Sequence, residues 1–277
     1  MVNFVLGVDG GGTRTRVAAV DTTGRVLGIG IGGVSNYDDV GVEVAQRSIG
    51  IAVQEAIAAA GVDLGDSQAV FLGMAGVTSE VDRAHIRDIA LNLRLAPAHR
   101  IGVDHDCRAA LAGGLEGRPG IVQIMGTGSS TYGRNAAGES WLAGGRGHLI
   151  ADEGSGYWLG IQAMRAAVRT YDGRDPDTAL LPALLARLEI GSIDDLLYRL
   201  YVRNMTRTEI AALGPLVMEV AQAGDRKAQT ILEDGAREVA ECVYAVARRL
   251  GMVAGVVEVC GVGGVLESSP EMRARFA

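Results

Sequence analysis

The sequence predicts an α/β protein of two similar lobes, each built on a mixed sheet, and three observations support this prediction. Near the N-terminus three short β-like segments form a meander, after which helical and strand-like segments alternate. The order strand, glycine turn, strand, second turn occurs twice, about 115 residues apart, which indicates an internal duplication. The 40 glycines and 4% of aromatic residues favour close packing of helices on sheets over an aromatic-rich β-sandwich.

Apolar runs and the turns between them predict the elements of the first half. Residues 5–8 and 17–20 are expected to be strands on either side of a glycine turn, and 25–30 the third strand of the meander. Apolar residues at helical spacing predict a helix over 42–60, with Gly61 in the C′ position. The other elements expected here are strands at 69–74 and 100–103, a helix at 80–93, and a helix from about Asp106.

The second half repeats this pattern. A strand at 120–125, a glycine turn at 126–129 and a strand from Ser130 are followed by another turn at 135–138. Helices are expected from Gly156 to about Gly251, the first with its large apolar residues on one face; then comes a strand at 256–260 that ends in a third glycine turn. The large apolar residues of that first helix are Tyr157, Ile161, Met164, Val168 and Tyr171. We place the lobe boundary so that the lobes span 1–116 and 117–277, the second lacking its last elements if the family pattern below applies.

Composition and charge argue against several classes of protein. The 277 residues suggest roughly two domains of about 150 residues, and the 48% hydrophobic content is ample for buried cores. A net charge of −7 without a block of Lys or Arg argues against nucleic-acid binding. No apolar run approaches the ~18 residues of a membrane helix, and no basic signal-peptide segment precedes the first strand. Three widely spaced cysteines indicate neither a disulfide framework nor a zinc site. We therefore expect a cytoplasmic protein.

The first glycine turn, Asp9-Gly10-Gly11-Gly12-Thr13-Arg14, is the most informative segment. Consecutive glycines tolerate positive φ and let backbone N–H groups approach an anion with no Cβ in the way. A carboxylate beside a phosphate-binding turn indicates a divalent metal between the two. A tight hairpin turn without a ligand is the alternative interpretation.

Together with later motifs, this turn resembles the actin-like ATPase superfamily, and more narrowly the BadF/BadG/BcrA/BcrD-type ATPase family with its N-acetylglucosamine kinase branch. The resemblance spans nearly the whole chain. It is carried by the first turn, Ser35-Asn36, Asp106 with 109–112, Gly126-Thr127-Gly128-Ser129, 144–148, Asp152-Glu153-Gly154-Ser155, and Gly261-Val262-Gly263-Gly264. Two features depart from the family pattern: Arg146 stands where mammalian members carry Trp, and the sequence ends at Ala277, where relatives usually continue through another strand and helix.

The resemblance implies a duplicated actin-like ATPase (ribonuclease H-like) fold with two lobes around a nucleotide cleft. It also implies ATP and Mg²⁺ as cofactors, a small-molecule sugar substrate and a possible homodimer. Asp9 would hold Mg²⁺, through water. The residues expected to bind ATP are Gly11, Gly12 and Thr13 of the first turn, Gly126, Thr127 and Gly128 of the second, and Gly263 and Gly264 of the third.

Asp106 matches the family's catalytic aspartate, which accepts or orients the proton of the sugar hydroxyl. Asp104, two residues earlier, is the alternative carboxylate. The expected sugar-binding residues are Asn36, Asp106, Gly145, Arg146 and Asp152. For Asn36 the alternative is loop capping, and for Asp152 it is an interaction with the dipole of the following helix. Arg146 either pairs with an anionic substituent of the sugar or is simply solvated.

The leading hypothesis for function is an ATP-dependent kinase for an amino sugar of the N-acetylglucosamine, glucosamine or N-acetylmuramate class. A second hypothesis is an ATPase that activates an iron–sulfur dehydratase or reductase, for which Cys107, Cys242 and Cys260 would have to supply cluster ligands. A third is a sensor that binds nucleotide or sugar without catalysis.

Overall fold

The computed structural model describes residues 2–276, and contacts within the chain divide it into two compact units, Met1–Ala109 and Ala110–Ala277. Each unit contains one mixed sheet with helices packed on it, which confirms the predicted α/β class. The lobe boundary after residue 116 stays a prediction. No helix among the described residues is long and apolar enough to cross a membrane.

The first unit contains a five-stranded sheet in the order β3-β2-β1-β4-β5. Neighbours β1, β2 and β3 pair antiparallel, whereas β4 pairs parallel with both β1 and β5, so the meander and the helix–strand alternation are both confirmed. The strands are β1 (Phe4–Gly10), β2 (Thr15–Asp21), β3 (Val26–Gly32), β4 (Ser67–Met74) and β5 (Ile101–His105), and the helices are α1 (Tyr37–Val40), α2 (Val42–Ala60) and α3 (Glu80–Asn92), followed by α4 (Asp106–Leu115), which continues past Ala109 into the second unit.

A stripe of glycines on β3 lets α2 lie directly against the sheet. A Cβ at Gly28, Gly30 or Gly32 would come within 2.0–2.3 Å of a backbone carbonyl oxygen of α2. Those oxygens belong to Ala56, Ala52 and Ser48, four residues apart on one face of the helix. Two residues of strand and four residues of helix rise by similar distances, so the two elements stay in register. The predicted helix bounds and the left-handed Gly61 after it, with φ 65°, are confirmed.

The second unit contains a four-stranded sheet in the order β8-β7-β6-β9, in which only the β6–β9 pair is parallel. Its main core lies among helices, with Leu159, Leu180 and Leu232 fully buried. The strands are β6 (Gly120–Met125), β7 (Ser129–Arg134), β8 (Ser140–Gly144) and β9 (Val259–Val262). The helices are α5 (Gly156–Tyr171), α6 (Leu180–Leu188), α7 (Ile193–Leu197), α8 (Arg207–Ala211), α9 (Gly214–Gln222), α10 (Arg226–Arg249), α11 (Gly264–Ser268) and α12 (Pro270–Phe276), with a single π-helical turn at Tyr198–Val202.

Two predictions for this unit were wrong in detail. Tyr171, assigned to the apolar face of α5, is the last residue of this helix and is 62% exposed. The other members of that face lie against the core as predicted: Met164 is buried, and Tyr157, Ile161 and Val168 pack against it. Strand β9 begins three residues later than predicted, and exposed Val256 precedes it. Strand β9 begins where its pairing with the parallel strand β6 begins, at Ile121 and Val259.

Candidate functional site

The first glycine turn joins β1 to β2 and contains Gly11, Gly12 and Thr13. Gly10–Gly12 do not adopt the positive φ that glycine tolerates. Gly10 is required for a steric reason, because a Cβ there would lie 2.2 Å from Cε of Met74. At Gly11 and Gly12 the nearest atoms to a Cβ would be 3.4 and 3.6 Å away, so packing does not require glycine. The neighbours of these two positions, Arg14 and Asp39, lie at ordinary van der Waals distance and leave room for a methyl group.

Asn36 is tied to this turn through the backbone. The carbonyl oxygen of Gly11 accepts hydrogen bonds from the N–H groups of Ser35, at 3.2 Å, and Asn36, at 3.3 Å. Asn36 is 3% exposed, and its Nδ2 donates to Oδ2 of Asp39 at 2.9 Å. Its Oδ1 is buried and accepts no hydrogen bond from the described residues, and the side chain does not cap α1. A buried acceptor without a donor is costly, so this geometry favours a hydroxyl-bearing ligand over loop capping.

Asp9 and Asp106 are two carboxylates of the first unit whose charges act on one another, and a third, Asp39, lies beside Gly12, with Oδ2 3.6 Å from a Cβ there. Asp9, at the end of β1, is exposed, yet the protein around its carboxylate displaces enough solvent to raise its pKa against the charges of Arg16 and Arg14. Asp106 begins α4, and desolvation raises its pKa to about 6, while hydrogen bonds from Cys107 lower it and the charge of Asp9 raises it further. Like charges acting on one another favour a cation nearby, and a carboxyl with a raised pKa is suited to accept a proton.

Asp104, the alternative base, is held in a network of ion pairs. Its carboxylate accepts hydrogen bonds from Arg108 at 2.7 Å, from the backbone N–H of His105 at 2.9 Å and from Arg83 at 3.2 Å. Burial alone would raise the pKa of Asp104, but these donors outweigh it and hold the pKa below its ordinary value. A carboxylate occupied by two guanidinium groups is a poor proton acceptor, so the geometry favours Asp106 as the base.

The groups able to ligate a metal fall into two sets. His105, Asp106 and Cys107 offer nitrogen, oxygen and sulfur atoms within 4.8 Å of one another. Nitrogen and sulfur ligands suit transition metals, whereas Mg²⁺ prefers carboxylate oxygen and water. The exposed carboxylate of Asp9 therefore fits a hydrated Mg²⁺ better than the mixed set does.

The second and third glycine turns lie against each other in the second unit. In the second turn, the Gly126 N–H donates to the oxygen of Gly128 at 2.9 Å, and the Gly126 oxygen accepts from Gly156 of α5 at 2.8 Å. In the third turn, Gly263 has a φ of +107°, and a Cβ there would lie 2.5 Å from the oxygen of Met125 and 3.1 Å from the nitrogen of Gly126. Gly264 and Gly126 have nothing within 4 Å of a Cβ position, so both turns keep an open side.

Asp152 lies beside the second turn. It is 3% exposed, has φ 64°, and its Oδ2 accepts a hydrogen bond from Nη2 of Arg207 at 2.8 Å. Burial raises the pKa of Asp152, while the charges of Arg207 and His148 and the N–H of Ser129 lower it. The side chain does not cap the following helix, because Ser155 occupies that position and accepts from Trp158 N–H at 3.1 Å.

Sequence reasoning did not identify Arg207. It is 55 residues from Asp152 along the chain and follows no recognisable motif apart from the cap of its own short helix. No local pattern could have predicted the pair, because Arg207 reaches Asp152 only through the packing of α8 within the second unit.

Gly145 and Arg146 follow β8 on the loop that leads to Asp152. Gly145 has φ 61°, and a Cβ there would lie 1.9 Å from Oγ of Ser130, so the fold itself requires glycine. Arg146 is exposed, which agrees equally with a ligand contact and with solvation. Their sugar-binding roles stay predictions.

The three cysteines are free thiols in three different elements. Cys107 is buried at the start of α4, while Cys242 in α10 and Cys260 in β9 are partly buried. Burial raises the pKa of Cys242 and of Cys260, so neither thiol is prepared for metal ligation as a thiolate. This does not favour an iron–sulfur activator.

Comparison with known proteins gives one consistent family. The model of the BadF/BadG/BcrA/BcrD ATPase family matches residues 6–275. An N-acetylmuramic acid/N-acetylglucosamine kinase of Clostridium acetobutylicum is 36% identical over 96% of this chain and 87% of its own length. An N-acetyl-D-glucosamine kinase of Dictyostelium discoideum is 32% identical over 89% of this chain and 80% of its own length. A crystal structure of a suggested N-acetylglucosamine kinase from Chromobacterium violaceum has a TM-score of 0.80 and 26% identity, with 100% and 94% of the two chains covered.

Proposed function

Because the chain belongs to the BadF/BadG/BcrA/BcrD ATPase family, we propose that it is an ATP-dependent kinase that phosphorylates a hydroxyl of an amino sugar. Similar proteins named as kinases for N-acetylmuramate, N-acetylglucosamine and glucosamine support the substrate class. The observation that carries the proposal is Asp106, a carboxyl whose pKa is raised to about 6 beside Asp9 and the first glycine turn. The activator hypothesis is not favoured, since these relatives are sugar kinases and the cysteines lie in separate elements.

In the proposed reaction the sugar oxygen attacks the γ-phosphorus of ATP, the bond to the β–γ bridging oxygen breaks, and ADP leaves. Asp106 accepts the proton of the attacking hydroxyl. In the first unit, the turn with Gly12 and Thr13 is proposed to bind phosphate oxygens. In the second unit, the second turn is proposed to bind phosphate oxygens as well, and the third turn to bind the adenosine. Phosphoryl transfer depends chiefly on such positioning and charge neutralisation.

Asn36 and Asp152 are proposed to bind the sugar. The buried Oδ1 of Asn36 can accept a hydrogen bond from one sugar hydroxyl, and the ionised Asp152 can accept from another. A sugar presents many hydroxyl donors, so two buried acceptors suit this class of ligand. Gly145 and Arg146 would complete the contact from the loop before Asp152.

Asp9 is proposed to hold Mg²⁺ through water molecules. Its exposed carboxylate lies near Asp106, whose pKa its charge raises, and a cation there would relieve that repulsion. When bound, Mg²⁺ neutralises charge on the phosphates of ATP. A cytoplasmic location and a homodimer also belong to this proposal.

A panel of sugars tests the proposed function. The purified protein is incubated with ATP and Mg²⁺ and with N-acetylglucosamine, glucosamine, N-acetylmuramate or glucose, and the phosphorylated sugar is measured. We expect phosphorylation of at least one amino sugar at a rate well above that of glucose. Iron and acid-labile sulfide are measured in the same preparation; a stoichiometric cluster without sugar phosphorylation would support the activator instead.

Replacement of Gly12 by alanine is expected to weaken ATP binding without affecting the fold. The backbone of Gly12 has an ordinary φ and room for a methyl group, so stability should not change. A methyl group in the space of a phosphate would remove a charge-assisted hydrogen bond, so the ATP KM should rise by roughly 10- to 100-fold. Gly7→Ala on β1, where nothing lies within 4 Å of the new methyl group, is the matched control. Equal ATP KM values in both variants would contradict a ligand at Gly12.

If Arg146 contacts the sugar, an anionic amino sugar is expected to be preferred. A guanidinium group on a glycine-flanked loop can pair bidentately with a carboxylate, such as the lactyl group of N-acetylmuramate. The protein should therefore show a higher kcat/KM for N-acetylmuramate than for neutral N-acetylglucosamine, and Arg146→Trp should reverse that order. Equal values for both sugars in both proteins would mean that Arg146 is solvated.

A further inference from the structure

The ion pair of Arg207 and Asp152 packs directly against the second glycine turn. Nη2 of Arg207 lies 2.8 Å from Oδ2 of Asp152, and the two side chains are 20% and 4% exposed. A Cβ on Gly128 would lie 2.5 Å from the same Nη2 and 2.9 Å from the same Oδ2. A side chain at 128 would therefore have to displace the ion pair, which fills that space.

Both partners of this pair are held by their own elements. Arg207 begins α8, where a capping box fixes the backbone: Thr206 Oγ1 accepts from Glu209 N–H at 3.2 Å, and Glu209 accepts from Thr206 N–H at 2.7 Å. The buried Ile210 anchors this helix close to α5. Asp152 has φ 64° in the segment that enters α5, so its backbone is also constrained.

We propose that Arg207 is a positioning residue for the sugar, which fixes the orientation and the negative charge of Asp152. The inference depends on the proposed function, in which Asp152 accepts hydrogen bonds from sugar hydroxyls. A carboxylate that is almost fully buried keeps its charge only if a cation or several donors compensate for the lost water. Arg207 supplies that compensation through Oδ2 of Asp152.

This role has a consequence that simple packing would not have. Burial holds the pKa of Asp152 above its ordinary value, and the charges of Arg207 and His148 and the N–H of Ser129 offset this rise only in part. Without the Arg207 charge, the pKa of Asp152 should rise further, so that the carboxyl is ionised only at higher pH. Sugar binding should then weaken as the pH falls, and recover as it rises, over a range where the unaltered protein binds well.

The test is the dissociation constant of the preferred amino sugar, measured by calorimetry without ATP between about pH 5.5 and 8.5. Arg207→Gln should weaken binding by on the order of 10- to 100-fold at the acid end, with partial recovery at the alkaline end. Arg207→Lys retains the positive charge but not the planar guanidinium group. At the acid end its dissociation constant should therefore lie between those of the unaltered protein and Arg207→Gln. Arg203→Gln, an exposed arginine four residues earlier, is the matched control and should match the unaltered protein.

Gly128→Ala provides a second route that retains both charges. Its methyl group must displace the guanidinium, so sugar binding should weaken here as well, and thermal unfolding of each variant shows whether it is folded. The inference is overturned if Arg207→Gln binds sugar like the unaltered protein at every pH. It is also overturned if the loss is the same at every pH and lysine restores nothing, or if folded Gly128→Ala binds normally. If the unaltered protein binds no amino sugar, the proposed function fails instead.

Discussion

Replacement of Asp106 by asparagine is expected to lower kcat by about 10²–10⁴-fold, the usual contribution of a positioned acid–base group. Asparagine keeps the size of the side chain and its ability to bind a hydroxyl, but it cannot accept the proton. The KM values for ATP and sugar should therefore change little. Steady-state kinetics on the preferred sugar, with circular dichroism to confirm folding, provide the measurement.

Asp104→Asn is the comparison that separates the two carboxylates. Asp104 accepts hydrogen bonds from Arg83 and Arg108, so its replacement should lower the temperature of unfolding. The fall in kcat should be much smaller than that of Asp106→Asn. If Asp104→Asn abolishes turnover while folded Asp106→Asn retains it, the base has been assigned to the wrong residue.

The pH dependence of kcat/KM provides an independent test of Asp106. Its pKa is raised to about 6, and the base acts only when it is ionised, so activity should be present above that pH and decline as the pH falls through it. A cation at Asp9 would remove one cause of the rise and move this decline to lower pH. Asp106→Asn has no such base, so its residual kcat/KM should not show this decline as the pH falls.

Asp152→Ala is expected to raise the sugar KM by roughly 5- to 150-fold, since the loss of a buried acceptor of hydrogen bonds costs roughly 1–3 kcal/mol. The ATP KM should change far less, because the sugar hydroxyls are the proposed partners of this carboxylate. The sugar KM is measured at saturating ATP with varied sugar, and the ATP KM at saturating sugar with varied ATP.

The same variant leaves the Arg207 guanidinium without its partner at Asp152, so a lower unfolding temperature is expected as well. Asp152→Asn, which keeps the size of the side chain, controls for this loss of stability. An equal increase of the KM for ATP and for sugar in both variants would contradict a specific role in sugar binding.

Local patterns predicted those parts of the fold in which neighbouring residues determine the structure. The helix at Val42–Ala60 and the left-handed Gly61 follow from apolar spacing and a terminal glycine, both of which are local signals. The three glycine turns at strand ends were likewise visible, because each directly follows an apolar run. The paired meander and its repeat then determined the α/β class.

What the sequence did not predict depends on contacts between distant residues. The ion pairs that hold Asp104 come from Arg108, four residues later, and from Arg83, 21 residues earlier, and the contact with Arg83 could not be read from the local sequence. The pair of Arg207 and Asp152 arises in the same way from helix packing. The steric requirement for glycine at Gly10 depends on Met74, which a neighbouring strand brings close.

The measurement that tests the central claim most directly is the stoichiometry of ADP and phosphorylated sugar. The protein is incubated with ATP and Mg²⁺, with and without the preferred amino sugar, and both products are quantified over time. We predict one phosphorylated sugar for each ADP, very little ADP without sugar, and almost none of either product with Asp106→Asn. ADP formation at the same rate with and without any amino sugar, and without a phosphorylated product, would contradict the assignment as a sugar kinase.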